Sequence, residues 1–407
     1  MTDRTIVIVG ASLAGAKAAE AARSSGFDGR VVLIGKEYEL PYERPPLSKA
    51  VLRGEVAPET ARVHAAGFYA ANDIELLTGR SVEALDVGAG RVTLDGAEHV
   101  PFSAAVLATG AAPRRLDIPG ADLAGVHYLR EVGDAARLGD AVRGAGRVAV
   151  IGAGWIGSEV AASARQMGAE VVLIDPAAVP LRRVLGDEIG EVFRSLHADN
   201  GVQLRMGTGV VELRGTGRVE QVVLTNGETE AADVIVIGVG VLPRVGLAEA
   251  AGLKVDNGIV VDEHLQSSAP GVYAAGDVAS AWHPHYRQRL RVEHWANALN
   301  QGVTAGTNAA GGTEIYTRLP YFFSDQFDLG LEYVGYSEPG DTVVVRGNRD
   351  EREFIAFWQR DGVVTAAMNV NIWDVVEDLK EIVLSGRVLD AGRLADPAVA
   401  LAELVSR

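Results

Sequence analysis

Residues 5–37, TIVIVGASLAGAKAAEAARSSGFDGRVVLIGKE, and residues 147–176, RVAVIGAGWIGSEVAASARQMGAEVVLIDP, follow one plan. Each opens with a β-branched run, turns at glycine, continues through an Ala-rich stretch with helical spacing and closes on a second apolar run. A continuous apolar strand fits a parallel sheet covered on both faces. A helix set directly on a glycine turn aims its unpaired N–H groups, and the positive end of its dipole, at an anion. The repeat therefore predicts two βαβ nucleotide-binding units of Rossmann type. Each gains a later strand ending in glycine, Ala104–Gly110 (AAVLATG) and Asp233–Gly240 (DVIVIGVG). A third such strand, Gly271–Asp277 (GVYAAGD), lies beyond the second unit, so the first domain resumes after the second has been inserted. The expected boundaries are 1–112 with 242–318 for the first domain, 113–241 for the second and 319–407 for a small α+β C-terminal domain. In the last, strand-like runs at 341–346, 353–359 and 363–370 precede an amphipathic helix at 375–384.

Composition narrows the function. The 407 residues carry 38 Lys and Arg against 54 Asp and Glu, a net charge of -16 that opposes general affinity for nucleic acids or anionic membranes. There is no cysteine, which excludes disulfide chemistry, thiolate zinc sites, protein-ligated iron-sulfur clusters and catalytic thiols. The 48 glycines exceed the usual share of about 7% and sit between apolar runs, as nucleotide turns require. No apolar run approaches the roughly 18 residues of a membrane span. Met1 to Thr5 lacks the basic start of a signal peptide, so a cytoplasmic protein is expected. His283 and His285 have no carboxylate or thiolate company, and no metal is expected.

The first turn offers Gly10 and Gly15 to a pyrophosphate, with Ser12 in the place of a middle glycine. The second, Gly152-Ala153-Gly154-Trp155-Ile156-Gly157, is a full G-x-G-x-x-G pattern, and Asp175 ends the strand that follows. A carboxylate there suits a ribose 2'-hydroxyl and repels a 2'-phosphate, favouring NADH over NADPH. Arg182 and Arg183 lie nearby and are able to meet a phosphate instead. Asp277, after a glycine turn, suits either sugar hydroxyls or a helix N-cap. Glu159 suits either a nicotinamide loop or the first turn of its helix, where an acid complements the dipole.

Residues 35–49, GKEYELPYERPPLSK, carry a family resemblance. The segment is similar to the PYDRPPLSK signature of FAD-dependent NADH:ferredoxin reductases, the putidaredoxin reductase, rubredoxin reductase and aromatic-ring dioxygenase type. The likeness extends along the chain through LATGAAPRR at 107–115, Tyr128-Leu129-Arg130, GWIGSE at 154–159, AAGDVA at 274–279, EHWANALNQG at 293–302, SDQ at 324–326 and AAMNVNIWD at 366–374. It implies a glutathione-reductase-like α/β architecture, with FAD and NAD domains of Rossmann type plus the C-terminal domain. By the same resemblance Ser12, Leu13 and Ala14, between Gly10 and Gly15, meet the FAD pyrophosphate. Lys36 stands where the family usually places an acid for the adenosine ribose, and Glu37 is the substitute. Further FAD contacts are implied at Arg44, Pro45, Lys49, Val82, Ala108, Thr109, Gly110, Arg130, Gly276, Glu293, His294 and Ala298. Asp277 is implied at the ribitol and Trp295 beside the isoalloxazine, although Trp295 reads equally as a core aromatic. NAD contacts are implied at Gly152, Gly154, Trp155, Ile156, Gly157, Glu159, Asp175, Gly238 and Gly240, with Arg183 packed on the adenine. Lys49 and Glu159 are the implied catalytic pair, meeting near the flavin N5 where hydride arrives.

The resemblance also implies the electron outlet: hydride to FAD, then single electrons to a 2Fe-2S ferredoxin that feeds a cytochrome P450 or a Rieske-type oxygenase. Residues 286–291, YRQRLR, place Arg287, Arg289 and Arg291 where an acidic ferredoxin could dock, or where a basic loop is merely solvated. The rival readings are an NADH oxidase or diaphorase and a redox sensor resembling apoptosis-inducing factor. Two departures stand out: Phe323 where many relatives have Trp, and Arg244 where the family commonly has Asn.

Overall fold

The computed structural model describes residues 4–405. Two compact units interleave along the chain, one of Met1–Glu43, Glu59–Ala112 and Leu242–Pro320, the other of Arg44–Pro58, Pro113–Val241 and Tyr321–Arg407.

In the first unit, five strands form a parallel sheet in the order Val272–Ala274, Ala104–Leu107, Thr5–Val9, Arg30–Ile34, Ile74–Leu77. Every residue of Thr5–Val9 is buried, as its unbroken apolar run requires. The helix Leu13–Ser24, with its Ala-rich face, packs along the helix Trp295–Ala309. Glycine makes that approach feasible: a Cβ on Gly302 would lie 2.4 Å from the Ala14 carbonyl oxygen. A small antiparallel sheet of Val82–Asp86, Arg91–Leu94 and His99–Pro101 adds Leu85, Val92, Leu94 and Val100 to the core.

The second unit repeats the plan in the order Gln203–Met206, Glu170–Asp175, Arg147–Ile151, Val234–Ile237, Val126–His127, again all parallel. The helix Trp155–Gln166 follows its glycine turn. A second antiparallel sheet, Tyr321–Gln326, Leu329–Gly335, Val363–Val370, Glu353–Arg360 and Thr342–Asn348, completes the unit. Its apolar face shares one core with the helix Arg182–Asp199, joining Leu185, Ile189, Phe193 and Leu196 to Phe354, Trp358, Met368 and Val370. Each such buried side chain contributes roughly 1.5–3 kcal/mol. Three of the five strands and the helix Val376–Ser385 match the expected elements. The strands Tyr321–Gln326 and Leu329–Gly335 are additional, because the polar triplet at 324–326 breaks the apolar texture. No helix among the described residues is long and apolar enough to cross a membrane.

Candidate active site

Each parallel sheet ends its first strand in a glycine turn whose outer glycines are dictated by the fold. In the first unit Gly10 has φ +116, and a Cβ there would stand 2.1 Å from the Ala108 carbonyl oxygen. A Cβ on Gly15 would stand 1.9 Å from the Gly10 oxygen, so both positions exclude a side chain. In the second unit Gly152 (φ +102) and Gly157 show the same constraint, at 2.4 Å from the Gly238 oxygen and 1.8 Å from the Gly152 oxygen. Gly154 differs: a Cβ there meets nothing within 4 Å. The middle position thus faces open room in front of the helix start, and Ser12 takes the corresponding place in the first turn. Neither helix has an acid in its first turn. Close-approaching backbone at a helix start with no acid in its first turn fits the pyrophosphates of two dinucleotides.

Some of the other expected residues of the first unit lie close to its turn, Ala108 against Gly10 and Gly276 against Ala14 and Ala298. Ala108, Thr109 and Gly110 follow the strand Ala104–Leu107, and the Thr109 hydroxyl donates to the Arg244 carbonyl at 2.9 Å. Gly276, at φ +78, opens the short turn Gly276–Val278 that carries Asp277, and its N–H donates to Gln301 Oε1 at 2.9 Å. Burial pushes His294 down to about 4, against the opposing pull of the Asp277 carboxylate, so its imidazole is neutral at pH 7. Ala298 packs against the core and Trp295 begins the helix Trp295–Ala309. Val82 begins the small antiparallel sheet. Lys36 is exposed, while Glu37 accepts from the Tyr42 hydroxyl. Glu293 pairs with Arg291 at 2.5 Å, and the Arg291 side chain is only 13% exposed. Arg291 is thus engaged within its own unit. Arg289 donates to the Val261 carbonyl at 2.5 Å, and Arg287 is exposed.

In the second unit the expected residues cluster about its glycine turn, with Gly238 against Gly152 and Trp155 opening the helix that follows. Asp175 accepts from the N–H of Ala153 and of Ala177, each at 2.7 Å, so its carboxylate braces the glycine turn. Arg182 pairs with Asp187 at 2.5 Å, whereas Arg183 is exposed. The Trp155 ring lies edge-on to Phe322 at 4.5 Å and to Phe193 at 6.2 Å, half-buried against the core beneath the C-terminal sheet. Ile156, like Gly154, is exposed. Gly238 and Gly240 follow the strand Val234–Ile237, and the Arg130 N–H donates to Asp134 Oδ2 at 3.0 Å.

Lys49 and Glu159 meet. Pro45 and Pro46 start a one-turn helix, Pro45–Ser48, which delivers Lys49 Nζ to 2.9 Å from Glu159 Oε1. The side chains are 12% and 8% exposed, so the pair is largely out of water. Ser48 Oγ donates to Glu159 Oε2 at 2.5 Å and Ser324 Oγ to Oε1 at 2.7 Å. Lys49 Nζ also lies 5.5 Å from the centroid of Phe323, the residue at the expected Trp position. Ser48 and Ser324 were not among the expected site residues. Their signal lies in the strand period: Phe322, Ser324 and Gln326 share the buried face of Tyr321–Gln326, and buried hydroxyls and amides need partners.

Residues 4–302 match the family described as Pyridine nucleotide-disulphide oxidoreductase, and residues 321–405 match Reductase C-terminal. The chain is 40% identical over 403 residues to the anthranilate 1,2-dioxygenase system ferredoxin--NAD(+) reductase component of Burkholderia cepacia, covering 98% of this chain and 99% of that one. It is 35% identical over 407 residues to putidaredoxin reductase of Pseudomonas putida, covering 98% and 96%. Among solved structures, the covalent putidaredoxin reductase-putidaredoxin complex aligns with TM-score 0.96 at 34% identity, covering 100% and 99%. The ferredoxin reductase for the CYP199A2 system from Rhodopseudomonas palustris aligns with TM-score 0.95 at 35% identity, covering 100% of both chains. With its paired glycine turns, its C-terminal sheet and this full-length likeness, the chain belongs to the pyridine nucleotide-disulphide oxidoreductases and, within them, to the ferredoxin--NAD(+) reductases.

Proposed function

We propose that the protein is an NADH-dependent, FAD-containing reductase that passes electrons singly to a 2Fe-2S ferredoxin serving a cytochrome P450 or Rieske-type oxygenase. The observation that carries this reading is the buried pair between Lys49 and Glu159, the latter on the helix that follows a NAD-type glycine turn, in a chain without cysteine. FAD, when bound, supplies the conversion of a hydride into two separately released electrons. The chain supplies binding, orientation and charge. The Gly10–Gly15 turn holds the flavin pyrophosphate by backbone N–H groups, Glu37 faces the adenosine ribose, and Asp277 accepts from the ribitol hydroxyls. The Gly152–Gly157 turn holds the NADH pyrophosphate, Asp175 accepts from the ribose 2'-hydroxyl, and Arg183 lies on the adenine. Because Arg182 is committed to Asp187, the carboxylate of Asp175 dominates this subsite and disfavours a 2'-phosphate. Glu159 and Lys49 orient the nicotinamide and balance the charge that develops on hydride transfer. Arg287 and Arg289 are the presented part of the basic loop for an acidic ferredoxin. In this proposal the protein acts in the cytoplasm, with NADH as its donor.

The test is NADH-driven cytochrome c reduction by the purified protein with and without an added 2Fe-2S ferredoxin. Strong dependence on the ferredoxin is expected. Rapid NADH consumption with oxygen or a quinone as sink, whatever ferredoxin is supplied, would select an oxidase instead. Very slow reduction with a long-lived charge-transfer complex would select a redox sensor.

A further inference from the structure

We infer that Ser324, Gln326 and His197 form a directed hydrogen-bond chain that fixes the Glu159 carboxylate against Lys49, making them positioning residues for the hydride step. The inference rests on the proposed role of the Lys49–Glu159 pair. All five residues belong to the second unit. Glu159 is 7% exposed, Ser324 and Gln326 1% each, and His197 0%.

The direction of every bond follows from one end. An ionised carboxylate only accepts, so Ser324 commits its single hydroxyl proton to Glu159 Oε1 at 2.7 Å. The Ser324 oxygen must then accept from its other neighbour, the Gln326 side-chain amide nitrogen at 3.2 Å. That turns Gln326 Oε1 toward His197 Nε2, 2.9 Å away, and an amide oxygen also only accepts. His197 must therefore be the neutral Nε2–H tautomer, with Nδ1 unprotonated. Two independent features agree. His197 Nδ1 has no hydrogen-bond partner, as an unprotonated nitrogen in apolar surroundings can tolerate, and Phe327 stands edge-on to the ring at 5.5 Å. Burial also holds the imidazole far below its ordinary value, so the neutral form persists at working pH.

The arrangement does more than satisfy buried polar atoms. Lys49 and Ser48 both reach Glu159 from residues 44–58, while Ser324 reaches it from the C-terminal sheet. Without Ser324 the carboxylate is held from one side only. Without Gln326 and His197 nothing dictates where the Ser324 proton points. The helix Arg182–Asp199 and the C-terminal sheet thus set the orientation of a charge that the hydride step uses.

The experiment uses the full-length, FAD-loaded oxidised protein with 15N-labelled histidine. His197 is expected as a slowly exchanging Nε2–H tautomer. Ser324→Ala and Glu159→Gln should each shift that ring signal, and Ser324→Ala should speed its exchange; Ser324→Thr, which keeps the hydroxyl, should restore it. In stopped-flow reduction by NADH, Ser324→Ala and Gln326→Leu should each slow flavin reduction about tenfold or more at saturating NADH, with little change in NADH affinity. Should Gln326→Leu fail to fold, the Ser324→Ala and Ser324→Thr pair decides alone. An Nδ1–H tautomer, or a His197 signal deaf to both Ser324→Ala and Glu159→Gln, overturns the chain. So does Ser324→Ala reducing at the wild-type rate while Glu159→Ala is slow. If Glu159→Ala itself reduces at the wild-type rate, the role of the Lys49–Glu159 pair fails instead.

Discussion

Gly306→Ala tests whether close helix packing is what holds the first glycine turn in place. A Cβ at 306 would stand 2.1 Å from the Ala18 carbonyl oxygen and 2.7 Å from the Ala18 Cα. Ordinary contact starts at 3.4 Å, so Trp295–Ala309 and Leu13–Ser24 must part by about 1 Å. Overpacking costs about 1–3 kcal/mol, and a 2.1 Å approach to backbone belongs at the upper end, about 2–3 kcal/mol, of which the helix propensity of Ala over Gly returns about 1 kcal/mol. The first unit should therefore lose about 1–2 kcal/mol, which lowers its unfolding temperature by about 2–4 °C per kcal/mol. Because Leu13–Ser24 begins at the Gly10–Gly15 turn, FAD should also bind more weakly. Thermal release of flavin, followed by its fluorescence, and titration of FAD into apoprotein measure both effects. Gly246→Ala is the control, since a Cβ there meets nothing within 4 Å. A Gly306→Ala protein that melts with the wild type and keeps its flavin as tightly would refute the reasoning.

Asp175→Ala should raise the KM for NADH and also loosen the turn it braces, because the Ala153 and Ala177 N–H groups lose their acceptor; an unchanged KM removes its ribose role. Lys49→Met leaves Glu159 as an uncompensated buried charge and should cost about 3 kcal/mol in urea unfolding, most of it recovered by adding Glu159→Gln; a single variant as stable as the wild type contradicts this. His197 is lowered from 6.5 to about 4, so the unfolded chain takes up its proton first on acidification. Its share of the stability is then complete above about pH 6.5 and falls by up to about 3 kcal/mol toward pH 4, with His294 and His127 acting in the same direction. His197→Gln should flatten this acid limb, and an unaltered limb counts against it. Arg287→Glu with Arg289→Glu should impair ferredoxin reduction and spare ferricyanide reduction; equal losses in both would end the docking idea.

Both nucleotide units were legible because a strand, a tight turn and a helix are local in sequence. The glycines at 10, 15, 152 and 157 declare themselves through steric need, and the structure supplies the clashing atoms. The strands Tyr321–Gln326 and Leu329–Gly335 were not legible, since Ser324 and Gln326 look like loop residues until their partners are known. Those partners lie on helices far away in sequence: Glu159 on Trp155–Gln166 and His197 on Arg182–Asp199. The position of Trp155 in a nucleotide turn is visible from spacing, whereas its packing on Phe322 is a tertiary contact that no local pattern encodes.

The interleaved order of the first unit bears on how the protein emerges from the ribosome. Its sheet lacks an edge until Val272–Ala274 pairs with Ala104–Leu107, and Leu13–Ser24 lacks its partner until Trp295–Ala309 has been made. At about 5–20 residues per second, synthesis of the intervening 113–241 alone takes on the order of ten seconds. Throughout that interval the nascent first half presents an Ala- and Gly-lined apolar groove with nothing to fill it. Until residue 309 has been made, that surface and the unpaired sheet edge are where the growing chain is open to pairing with its neighbours.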